Sequence, residues 1–247
     1  MERFNALTAD KLRDAMCDRA VIGTFITSDA PCVTEIAALS GLGFIILDEE
    51  HGSMSGIENH IRAAELRGAF PIVRVSGVSD IQHALDSGAI GIQAPEIRNA
   101  EEAKEVFRAT KFAPEGNRGF GVSRCSAYGF KSADEVMKDD PLLILQCENE
   151  GSLSELDEIA EFADVLFLGP YDMSVSLGVP GMIYDEAVEN AAEKILVAAG
   201  KKGRMAGIFV TNGKEAARRI SQGFRYIAIS TDALMLSGAY KKELSEL

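Results

Sequence analysis

The chain has 247 residues, 47% of them hydrophobic and 7% aromatic, which is enough for one large core and predicts one domain over residues 1–247. A formal charge of −13 excludes the basic patches that nucleic acid or an anionic membrane surface needs. Cys17, Cys32, Cys125 and Cys147 form no C-x-x-C pair, so neither a disulfide framework nor a structural zinc site is indicated.

The N-terminal stretch MERFNALTADKLRDAM is charged where a secretory leader would be apolar, and no apolar run approaches the roughly 18 residues that cross a bilayer, so the chain reads as cytoplasmic. Short runs rich in Val, Ile, Leu and Phe then recur with helical stretches between them. They are VIGTFIT (21–27), FIILD (44–48), FPIVRV (70–75), IGIQAP (90–95), LLILQCE (142–148), VLFLG (165–169), MAGIFV (205–210) and YIAIST (226–231). Parallel strands buried on both faces have this composition, and crossover helices connect them. After the second run, Ser55 and Glu58 are spaced as a capping box, with Gly68 available to close that helix. In EEAKEVFRATK the acidic residues lead and the basic ones trail, as a helix dipole favours. Residues 112–140 form a connection far longer than a common loop. Such segments serve as lids or subunit contacts, with Arg118 and Arg124 as candidates to meet an anion or another chain. Eight strand–helix units in this length predict an α/β fold, the (β/α)8 barrel, whose strand ends converge on one mouth.

The chemistry-bearing residues fall at those ends. Asp48, Glu50 and His51 lie in LDEEHG. A neutral imidazole oriented by a carboxylate is a good proton acceptor near neutral pH, and the alternative is a loop histidine paired structurally with Glu50. Arg74 interrupts an apolar strand and cannot lose its charge. It needs either a structural carboxylate such as Asp48 or Asp86, or an oxyanion to clamp. Glu148 and Asp172 follow adjacent strands, and two carboxylates completed by water and substrate commonly hold Mg²⁺ or Mn²⁺. The alternative for Asp172 is a cap on a short helix through Ser174 to Leu177. His60 and His83 fall within helical stretches and read as structural or surface residues. GNRGFG and TNGKEA lack the context and glycine spacing of nucleotide-binding loops.

The strings LDEEHG, PIVRVSG, LDSGAIGIQAPEI, KFAPEGNRGFG, QCENEG and LGPYDMSVSLGVPG, in that order and spacing, resemble the HpcH/HpaI family of class II pyruvate-dependent aldolases over nearly the whole chain. The resemblance implies a barrel of the phosphoenolpyruvate/pyruvate type and a divalent metal (Mg²⁺, Mn²⁺ or Co²⁺) on Glu148 and Asp172. Pyruvate would reach the metal through its keto and carboxylate oxygens. It also implies that backbone N–H groups of the Gly169 to Asp172 turn, other than at Pro170, take the pyruvate carboxylate. Arg74 would steady the enolate, His51 with Asp48 would move a proton through a water, and Gln146 would lie close to the substrate. Tyr171 stands where many relatives carry Ala, and its bulk either reshapes the aldehyde pocket or points away from it; Ser53 to Gly56 also depart from the commoner pattern. A homo-oligomer is implied, commonly a hexamer, with the C-terminal helix packed on a neighbour.

The expected reaction is retro-aldol cleavage of a 4-hydroxy-2-oxo acid to pyruvate and an aldehyde, the two small-molecule partners. The same enolate chemistry with a thioester or citrate-type partner is one alternative. A barrel that only binds a metabolite is another, and intact His51, Arg74, Glu148 and Asp172 count against it. No predicted strand carries an interior lysine to form an imine, which disfavours a Schiff-base aldolase.

Overall fold

The computed structural model of the protein describes residues 7–52 and 54–247, so the N-terminal six residues and the departure at Ser53 lie outside the described residues. In chain order the elements are α1 (Ala9–Asp18), β1 (Val21–Ile26), α2 (Pro31–Leu39), β2 (Phe44–Asp48), α3 (Ile57–Leu66), β3 (Phe70–Arg74), α4 (Ile81–Asp86), β4 (Gly91–Ala94), α5 (Ala100–Thr110) and α6 (Ala133–Val136). They continue with β5 (Leu142–Gln146), α7 (Glu150–Ser154), α8 (Leu156–Ile159), β6 (Val165–Leu168), α9 (Pro170–Ser176), α10 (Glu186–Lys201), β7 (Met205–Val210), α11 (Gly213–Gln222), β8 (Tyr226–Thr231) and α12 (Asp232–Leu244). All eight predicted runs are strands, each pairs in parallel with the next, and β8 closes on β1. Among the described residues no helix is long and apolar enough to cross a membrane.

Successive side chains of a strand point to opposite faces, and here both faces are buried. One set, including Phe25, Phe44, Ile46, Ile72, Ile144, Phe167 and Tyr226, fills the lumen, and Leu12 and Met16 of α1 pack beneath it. The alternate set, including Ile45, Leu47, Val73, Leu143, Leu145, Leu166 and Ile227, meets the surrounding helices. Across β1, the rings of Phe44 and Tyr226 stack with centroids 3.9 Å apart. Gly23, paired in register with Phe44, leaves room for that stack. A Cβ there would sit 2.2 Å from Phe44 Cδ2 and 2.4 Å from its carbonyl oxygen.

Two local expectations are corrected. Ser55 does not cap α3, which starts from Gly56 without a side-chain cap. Its N–H and hydroxyl go instead to the Asp29 carboxylate, a charged and therefore stronger acceptor, and Glu58 pairs with Arg62. Gly68 does close the far end, at φ +79°. In the long connection, Arg118 and Arg124 turn inward to partners within the chain. Arg118 lies 3.5 Å from Asp86 and over the Phe112 ring, and Arg124 pairs with Glu65 and donates to the Ser87 carbonyl. A guanidinium must find an anion, and both found one at home.

Gly23→Ala is expected to destabilise the barrel by about 3 kcal/mol or more, because the new methyl meets backbone as well as a ring and overpacking commonly costs 1–3. Urea unfolding of parent and variant measures it, and equal midpoints would show that the Phe44–Tyr226 stack can shift.

Candidate active site

The polar residues of the lumen collect at the C-terminal ends of β2 to β5. Asp48 and Arg74 are register partners on neighbouring strands, so their side chains share a face. Arg74 Nε and Nη2 donate to the two oxygens of Asp48 at 2.9 and 2.6 Å, Nη1 lies 2.9 Å from Glu50 Oε2, and the guanidinium rests 4.7 Å over the Phe25 ring. Asp48, not Asp86, is therefore the structural partner. Burial raises the Glu50 carboxyl above its ordinary range, and the Arg74 charge works against that rise.

His51 emerges at the rim with its side chain 69% exposed. Asp48 Oδ1 accepts the backbone N–H of His51 at 3.2 Å and that of Glu50 at 3.1 Å, while Arg74 occupies both carboxylate oxygens. The carboxylate in contact with the imidazole is that of Glu50, 4.0 Å from Nε2, while Asp48 holds the His51 main chain.

Glu148 is buried just past β5. Its Oε1 accepts the Glu96 N–H at 2.8 Å, and Gln146 Nε2 lies 3.0 Å from each of its oxygens. Burial pushes this carboxyl up to about 7. Those hydrogen bonds pull it down, and the negative charges of Asp172 and Glu50 push it further up. Gly169 lets the next strand end approach it, since a Cβ there would fall 2.0 Å from Glu148 Oε2. Gly169 is the N-cap of α9, and Tyr171 and Asp172 stand in its exposed first turn. Asp172 thus lies inside α9 and not at its cap, which removes the alternative reading of it as the cap of a short helix through Ser174 to Leu177. Tyr171 leans edge-on against Phe209 with centroids 6.0 Å apart. Cys147 points outward into the helix-facing core, where burial raises its thiol.

Sequence reasoning missed Gln93 and Tyr226. The Tyr226 hydroxyl donates to Gln93 Oε1 at 3.3 Å, Gln93 Nε2 donates to Gln146 Oε1, and Gln146 in turn orients Glu148. The signal was present: Gln93 is a polar residue inside the apolar run IGIQAP, as Arg74 is in PIVRVSG. A cleft of about 510 Å³ flanks this end, lined by Glu49, Gly52, Met54, Ser55, Ser76, Asp80 and His83. A second, of about 530 Å³, opens where β5, β6 and β7 begin, near Leu143, Asp164 and Arg204, away from the polar cluster.

Eight strand–helix units with carboxylates and a guanidinium gathered at one mouth define a barrel built like a lyase. The chain belongs to the HpcH/HpaI aldolase/citrate lyase family, whose model matches residues 21–239. It is similar to the 2-keto-3-deoxy-L-rhamnonate aldolase of Escherichia coli, at 29% identity over 98% of this chain and 94% of that one. Among solved structures it resembles an HpcH/HpaI aldolase/citrate lyase family protein from Burkholderia cenocepacia, with TM-score 0.89, 28% identity and coverage of 96% and 97%. It also resembles the citrate synthase SbnG, with TM-score 0.84, 26% identity and coverage of 95% and 96%.

The raised Glu148 carboxyl has a thermodynamic signature. Folding holds this proton more tightly than the unfolded chain does. The group therefore favours the fold below its ordinary value near 4.5, and that contribution is lost as pH rises through about 7. Under chelator, stability should fall between those limits by up to about 3 kcal/mol from this group, and Glu148→Gln should flatten that part of the profile. Unfolding midpoints against pH for both proteins give the answer, and an unchanged slope in the variant would place the burden elsewhere.

Proposed function

We propose that the protein is a metal-dependent class II aldolase, a carbon–carbon lyase that cleaves a 4-hydroxy-2-oxo acid to pyruvate and an aldehyde by way of a pyruvate enolate. The observation that carries this reading is Glu148: a buried carboxylate beside the charge of Asp172, with only the neutral donors of Gln146 and Glu96 hydrogen-bonded to it. Removing an anion from water without a cation is costly, and the two carboxylates supply the hard oxygen donors that Mg²⁺, Mn²⁺ or Co²⁺ accept. Among the described residues no larger group of His, Cys, Asp and Glu is placed to hold a metal, which fits a site completed by water and substrate. Glu148 and Asp172 would hold the ion. Bound there, it supplies Lewis-acid polarisation of the keto oxygen.

The chain's own residues divide the remaining work. Arg74 has five N–H donors, and three of them face Asp48 and Glu50, which leaves two in a fixed plane for an oxyanion. Because the ion pairs have already oriented it, little reorganisation is needed as charge develops on the enolate oxygen. The N–H groups of Tyr171 and Asp172 head α9 and suit the pyruvate carboxylate. Gln146, held by Gln93, keeps the Glu148 carboxylate turned to the mouth. His51, exposed at the rim with Glu50 nearby, takes the proton from the C4 hydroxyl through a water as the C3–C4 bond breaks and delivers it to the enolate carbon to release pyruvate; in the reverse direction it takes a proton from pyruvate C3 and gives it to the aldehyde oxygen. Tyr171 on Phe209 borders the aldehyde side. The same donor half with another acceptor is the second reading, favoured by the likeness to a citrate synthase.

Incubating chelated protein with pyruvate, each of Mg²⁺, Mn²⁺ and Co²⁺, and either a panel of aldehydes or, in separate arms, a keto acid or a thioester tests both readings. Metal-dependent aldol product supports the aldolase. Product only with a keto-acid or thioester partner supports the second reading, and full activity after exhaustive chelation overturns the metal site.

We further propose that the chain acts as a homo-oligomer, with a hexamer as the expected form. In α12 no residue is buried, and Leu234, Met235, Leu236, Tyr240 and Leu244 are all exposed. An apolar helix face of this kind marks an association surface. Light scattering should give several times the 26.5 kDa chain mass, and Leu236→Asp with Tyr240→Asp should lower it. A parental protein of single-chain mass would refute the assignment.

A further inference from the structure

His51 has an exposed imidazole whose nearest charged neighbour is 4.0 Å away, so its own contacts do not fix its place. Its backbone does. On the N-terminal side, Asp48 Oδ1 accepts the N–H of Glu50 and of His51. Gly52 then turns so tightly that a Cβ would lie 2.1 Å from the Asp48 carbonyl oxygen and 3.1 Å from that of Thr27. Before α3 the chain is gripped a second time, at Ser55.

The second hold is Asp29, in the loop between β1 and α2. Its Oδ1 accepts the Ser55 N–H at 3.1 Å and its Oδ2 accepts the Ser55 hydroxyl at 2.5 Å. These bonds keep the Asp29 carboxyl below its ordinary range, so it stays anionic. Beneath it lies His60, fully buried on α3. His60 Nδ1 is 2.7 Å from the buried Thr34 hydroxyl of α2, and Nε2, which has no hydrogen-bond partner, lies 3.7 Å from Asp29 Oδ1. The Thr34–His60 pair thus places a ring nitrogen near the Asp29 oxygen that also accepts the Ser55 N–H. The Asp29 loop is seated in turn by Asp232, which accepts the N–H of Thr27 at 2.9 Å and of Ser28 at 3.1 Å.

We propose that Asp29, seated on His60 and gripping Ser55, is a positioning residue that sets where His51 stands at the mouth. This rests on the reading of His51 as the proton carrier. A misplacement of about 1 Å in such a group can cost roughly a hundredfold in rate.

The test is a double-mutant cycle with pyruvate, aldehyde and saturating metal, using the full chain. His51→Ala should slow aldol formation by roughly 10²- to 10⁴-fold. Asp29→Asn and Ser55→Ala should each lower kcat by about 10- to 100-fold with pyruvate affinity unchanged, and Ser55→Thr should recover most of the loss. In the His51→Ala background, Asp29→Asn should add nothing, because a residue that acts through the imidazole has nothing left to position. Ser55 is exposed, so its variants carry the test even if Asp29→Asn melts early. A full-rate His51→Ala protein overturns both the His51 reading and the clamp. With His51→Ala slow, parental kcat in Asp29→Asn and Ser55→Ala overturns the clamp alone, as does an equal further loss in the double variant.

Discussion

An inward-facing side chain in a closed barrel has no route to solvent except along the axis, so whatever the strands point inward must be reconciled there. The lower layers solve this with apolar volume, and the Phe44–Tyr226 stack over Gly23 shows how closely that volume is fitted. The upper layer carries Asp48, Arg74, Gln93, Gln146 and Glu148, which can satisfy one another only within the same few ångströms. Arg74 pairs with two carboxylates and Gln93 hydrogen-bonds two neighbours, whereas Glu148 is a buried carboxyl with only neutral hydrogen-bond donors and no cation beside it.

The polar residues of this layer stand on two kinds of support. Asp48, Arg74 and Gln146 are on strands and Glu148 and Gly169 lie within two residues of a strand end, so they inherit the rigidity of the sheet. His51 on a loop, and Tyr171 and Asp172 on a seven-residue helix, do not. Loops tolerate change that strand ends do not.

Much of the architecture was legible in the sequence because its signals are local. A buried parallel strand is a short apolar run, and eight of them announce a barrel. Arg74 and Glu148 were conspicuous because a charge amid such a run demands a reason. Gln93 carried the same signal more quietly, as a neutral amide in IGIQAP, and was passed over. What the sequence could not show was partner choice between distant segments. Ser55 has the spacing of a helix cap, yet Asp29 from another loop outbids the backbone for its hydrogen bonds. Arg118 and Arg124 pair with Asp86 and Glu65, and both oxygens of Asp48 go to Arg74. Each of these is a contest between acceptors decided by three-dimensional proximity, on which residue spacing is silent.

The helix before the first strand fixes which side of the barrel is open. Leu12 and Met16 of α1 pack under a lumen that side chains already fill, so this end of the axis is closed. A guest of the polar mouth must therefore come and go by the same side.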